Sequence, residues 1–148
     1  MRYNPYKLTI PVCLTLLLLL GVIANAQTQP LYREYRGVRL GMTAAETRAK
    51  LGEPMFKSDD QDVYAFRSDE TAQIVYDAEN KVVTISIDYT GGVGAPDYRT
   101  VVGAGLLLQR PDGSLFRVVH YNAERLWVSY NKSADIVPVV TITIQAIR

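Results

Sequence analysis

His120 is the one side chain here whose ordinary pKa suits proton transfer near neutrality. Catalysis would also need a nucleophile or a carboxylate partner in reach. The chain carries no hydrolase signature, no phosphate-binding glycine loop and no paired metal ligands. Gly91-Gly92-Val93-Gly94 has no lysine and no helix start after it, so it reads as a hinge. Asp59-Asp60-Gln61-Asp62 is acidic enough for a weak cation site, but its spacing matches no calcium loop, and a solvated loop is the simpler reading. A single Cys and a single His exclude a Cys/His zinc site and an internal disulfide. The expectation is a protein without catalytic residues, cofactor or metal.

The elements that must position any site are set by a chain of 148 residues, enough for one ordinary domain. Lys+Arg number 16 against 15 Asp+Glu, so no charge excess points to nucleic acid. Hydrophobic residues at 48% and charged residues at 21% argue for a packed globular fold.

Residues 1–26 have the layout of a secretory signal peptide: Arg2 and Lys7, an apolar run from Leu8 to Ile23, then Ala24-Asn25-Ala26 as the small-x-small cleavage pattern. The competing reading is an uncleaved anchor, but the run is short for a span and contains Pro11. Cleavage would leave Gln27 first and remove Cys13, which lies inside the run and not at the cleavage point where a lipidated cysteine would stand. The mature chain of 122 residues would carry a net charge of −1 and no cysteine. In an oxidising compartment it would then rely on packing alone. The expected location is periplasmic or secreted.

Residues 27–36 read as an N-terminal arm. A first unit follows over 37–90. Gly41-Met42-Thr43 leads into a short helix from Ala44 to Leu51. Thr43 and Glu46 form a capping box, Gly52 fits the helix stop, and Pro54 blocks resumption. Strands are expected at Val63–Phe66, Ala72–Tyr76 and Lys81–Tyr89, with Asp77–Asn80 as a turn. In the third strand Val83, Ile85 and Ile87 alternate with Thr84, Ser86 and Asp88, which gives one buried face.

The second unit, 91–148, repeats the plan. Strands are expected at Phe116–Tyr121, Leu126–Tyr130 and Val139–Gln145, with a weakly marked helix over Asp97–Val102. Val82–Asp88 matches Val139–Gln145 at nearly every step, and Tyr76-Asp77 matches Tyr130-Asn131. The alternative is that strands resemble one another because they use few residue types.

Gly41-Met42-Thr43, Glu46 and Leu51-Gly52-Glu53-Pro54, followed by a Tyr-bearing strand, a turn and a Val/Ile strand, resemble the SmpA/OmlA (BamE-like) domain of the β-lactamase inhibitor protein fold group. The match covers about Tyr35 to Tyr89. The resemblance implies an α+β fold with short helices packed on an antiparallel sheet, and together with the internal repeat the expectation is two diverged helix-plus-three-strand repeats. It also implies a cell-envelope protein that works by contact, in outer-membrane assembly or enzyme inhibition. The chain departs from the BamE-like pattern in having no lipidated cysteine at the mature N-terminus. Gly41, Thr43, Glu46, Gly52 and Pro54 are scaffold residues and carry no chemistry.

Asn122–Arg125 reads as a hairpin turn, so that Tyr121 opposes Leu126. Phe116, Val118, His120, Trp127 and Ser129 then share the opposite face, beside Thr141 and Thr143. An aromatic-rich open face suits a partner protein of the envelope or secreted milieu. The alternatives are that the Gly103–Asp112 loop or a second sheet covers it, or that a cleft between the two units takes a small ligand.

Overall fold

A computed structural model describes residues 29–147. The signal-peptide reading lies outside them. Among the described residues no helix is long and apolar enough to cross a membrane.

Thr43 accepts a hydrogen bond from the Glu46 amide at 3.2 Å, and the Glu46 carboxylate accepts from the Thr43 amide at 2.8 Å. That reciprocal pair starts helix α1 (Ala44–Leu51), and Gly52 ends it with φ at +84°. Replacing Thr43 with Ala removes an acceptor from the first turn and is expected to lower stability by about 1 kcal/mol. Urea titration checks this, and an unchanged midpoint would refute the cap's contribution.

After α1 the chain makes β1 (Phe56–Lys57), β2 (Gln61–Arg67), β3 (Glu70–Tyr76) and β4 (Val82–Thr90). A glycine-rich turn leads to helix α2 (Tyr98–Val102), capped by the Asp97 side chain. Then come β5 (Leu108–Gln109), β6 (Leu115–Tyr121), β7 (Leu126–Lys132) and β8 (Val139–Ala146). All eight strands form one sheet in the order β1-β2-β3-β4-β8-β7-β6-β5, antiparallel throughout.

Each half is thus a helix and a four-stranded meander, and the halves meet where β4 pairs with β8. Ile85 faces Ile144, Ser86 faces Thr143, and Ile87 faces Ile142. Ser86 and Thr143 are also matched to each other in the repeated strand. The seam therefore has the symmetry of a local two-fold axis through that pair.

The expected α+β architecture is not what forms. Among the described residues the helices have eight and five residues, and the regular structure is nearly all sheet. Each meander has four strands where three were expected, because the two-residue β1 and β5 are too short to leave a periodic signal. Helix α1 buries only Ala44 and Thr47, too little surface to make a covering layer. Irregular chain shares that task. Tyr35 and Val38 are buried, and Tyr32, Leu40 and Met42 pack against the core. Tyr35, at the end of the stretch read as an arm, closes a tight turn with Val38 through Arg36 and Gly37, both at positive φ.

The core lies between this strap, Val101 and Val102 of α2, and the inward residues of the sheet. Ile85, Ile87, Ile142 and Ile144 are fully buried, as their alternation requires. Val83 departs from it. Val75 pairs with Thr84 but Tyr76 pairs with Val82, so a bulge takes up one residue at Val83. Val82 enters the core instead, and Val83 reaches the opposite face.

Candidate binding face

The cross-strand register arranges the uncovered face in three rows. One runs Gln61, Val75, Thr84, Gln145, Trp127, His120. The second runs Val63, Gln73, Ser86, Thr143, Ser129, Val118, and the third Ala65, Thr71, Asp88, Thr141, Asn131, Phe116. The hairpin register is the one expected: Tyr121 faces Leu126, and His120 faces Trp127. The two halves lie side by side in one sheet, so neither covers the other.

The five candidate residues share this face but not one exposure. Val118 is 43% exposed, His120 is exposed and Trp127 half-buried. Ser129 is buried among its neighbours. Phe116 lies under the Arg110 guanidinium, 3.9 Å from the ring centroid, and Arg110 also donates to Asn131 at 3.1 Å. The accessible part is therefore Val118, His120 and Trp127.

Residues from both halves join them. A depression of about 670 Å³ is lined by Val75, Val83 and Thr84 from the first half and by His120, Asn122, Trp127 and Gln145 from the second. Sequence reasoning missed the first-half members. Only the β4–β8 register brings Thr84 beside Gln145, and only the bulge turns Val83 outward. No carboxylate, Lys or Arg lines the depression among the described residues.

The charged chemistry lies on the covered side. Asp62, read as part of a solvated acidic loop, is instead fully buried near the start of β2. Arg48 donates to both its oxygens, at 2.8 and 3.0 Å, and the hydroxyls of Tyr76 and Tyr64 donate at 2.7 and 3.3 Å. Burial, then the nearby Asp62 charge, pushes the Tyr64 hydroxyl up to about 12. No group of three or more potential metal ligands occurs among the described residues.

A second cluster pins the strap. Glu70, also buried, accepts from the Tyr35 hydroxyl at 2.6 Å and from Arg36 at 3.1 Å, with Arg67 at 3.4 Å. Burial works to raise the Glu70 pKa, but the bonds from Tyr35 and Arg36 outweigh it and hold the carboxyl below its ordinary value of 4.5. Glu70 therefore ionises more readily folded than unfolded. Its contribution is complete well above pH 4.5 and is lost as pH falls through the folded value. The stability gap between wild type and Glu70→Gln is expected to narrow on acidification from pH 7 to pH 3, followed by urea midpoints. A constant gap would contradict this role.

No family model matches the chain, and neither a characterised protein nor a solved structure matches it.

Proposed function

We propose that this is a non-catalytic binding module of the bacterial cell envelope, exported to the periplasm or beyond, which holds another envelope or secreted protein on its uncovered sheet face. Support of outer-membrane assembly and inhibition of a secreted enzyme are two uses of such a surface. One observation carries the reading. Eight strands have one face packed under the strap and helices, while the other presents Val118, His120 and Trp127. A rigid sheet presents such side chains at little ordering cost on binding. Trp is also among the residues that dominate interface energetics.

The test uses the purified protein as bait in native envelope extract, with Trp127→Ala and Val118→Asp as controls. A partner identified and then bound directly should lose about tenfold or more in affinity with Trp127→Ala. Far-ultraviolet circular dichroism should stay unchanged. Equal binding by all three proteins would refute the assignment of this face.

The depression favours a second reading, a small-ligand site at the junction of the halves. Its lining comes from both meanders, and its volume falls in the range of ligand pockets.

A further inference from the structure

Polar side chains elsewhere on the uncovered face are largely spent on one another. Ser86 meets Thr143 at 3.4 Å, Thr141 donates to Asp88 at 2.6 Å, Gln73 donates to Gln61, and Asn131 accepts from Arg110. The depression differs. Thr84, His120, Asn122, Trp127 and Gln145 line it, and none of their side chains takes part in the hydrogen bonds formed among the described residues. Four of the five stand on one row of the sheet, Thr84–Gln145–Trp127–His120, spaced by the strand separation of about 4.8 Å. Asn122 adds a second amide from the hairpin turn.

We infer that this depression binds an uncharged saccharide ring, stacked on the Trp127 indole and hydrogen-bonded at its rim by Asn122, Gln145, Thr84 and His120. The inference rests on the small-ligand reading above. The lining carries no carboxylate, Lys or Arg, so a phosphate, carboxylate or ammonium would find no fixed counter-charge. Two amides and a hydroxyl supply both donors and acceptors, the mixture that vicinal hydroxyls require. One indole offers one apolar plane with a polar edge, which suits the C–H face of a saturated ring. A flat aromatic ligand would need a second wall, and Trp127 is the only aromatic in the lining besides the His120 imidazole.

Trp127 is also the only tryptophan in the chain, so its fluorescence reports this site alone. The purified protein is titrated with neutral hexose and N-acetylhexosamine oligosaccharides, with oligogalacturonate as the anionic control. Methyl glycosides run against hexasaccharides distinguish a free sugar from a polymer as the source. A saturable change with a neutral saccharide is expected, weakened about fivefold each by Asn122→Ala and Gln145→Ala. It should be retained in part by Trp127→Phe and abolished by Trp127→Ala in a glycan-array readout. Saccharide binding indifferent to all four substitutions, or a preference for the anionic control, would overturn the inference. If no saccharide perturbs Trp127 but a different small ligand from a thermal-shift screen does, the saccharide assignment falls and the small-ligand reading stands. If a captured protein alone perturbs Trp127, both fall and the open-face reading survives.

Discussion

Arg48→Ala should remove about 3–5 kcal/mol of stability, because it leaves the Asp62 carboxylate buried with only two tyrosine hydroxyls around it. Asp62 is 0% exposed at its side chain and Arg48 25%. The two partners are therefore not equivalent. Asp62→Asn keeps an acceptor for Tyr76 and Tyr64 and leaves Arg48 a route to water, so it should cost less. Tyr76→Phe loses one hydrogen bond and should cost about 1 kcal/mol. Urea denaturation of the three variants gives the order Arg48→Ala, Asp62→Asn, Tyr76→Phe. A loss under 1 kcal/mol for Arg48→Ala would mean that water reaches Asp62 and that the pair is a surface contact.

Ile142→Ala should cost about 2–5 kcal/mol, the range for truncating a large aliphatic core residue. Ile142 is fully buried at the seam, opposite Ile87 on β4 and Tyr130 on β7. The adjacent residue supplies the control. Thr143 points to the uncovered face, where only its 3.4 Å contact with Ser86 and its strand preference are lost, so Thr143→Ala should cost about 1 kcal/mol or less. Similar losses at both positions would mean that the uncovered face is itself packed, which would contradict the proposed binding surface.

Features written in local sequence were legible, and features made by distant partners were not. Thr43, Glu46 and Gly52 mark the ends of α1 because capping acts within four residues. The β6–β7 register follows from the turn at Asn122–Arg125 alone. Alternation placed Ile85 and Ile87 correctly but failed at Val83, since a one-residue bulge reverses the faces beyond it. The strap was not legible because Tyr32, Tyr35, Val38, Leu40 and Met42 keep neither a helical nor a strand period. Asp62 looked solvated because its partner Arg48 lies fourteen residues away on another element. The same distance problem hid Glu70 and Tyr35, thirty-five residues apart. The Trp127–His120 pair was visible within one hairpin, whereas Thr84 and Val75 join it only across the seam.

That seam has a consequence for how the chain reaches its native state. Within each meander the strands pair with sequence neighbours, so their loops close quickly. The β4–β8 contacts join residues such as Asp88 and Thr141, separated by 53 positions. Loop closure at that separation is slow compared with hairpin formation, so seam closure should set the folding rate. Two chains held at the stage before closure present the same complementary edges, and each can complete the other's sheet. Such an exchange would open at Gly91–Gly94, the turn that joins the halves. The uncovered face would then form from two polypeptides, with Thr84 contributed by one chain and Trp127 by the other.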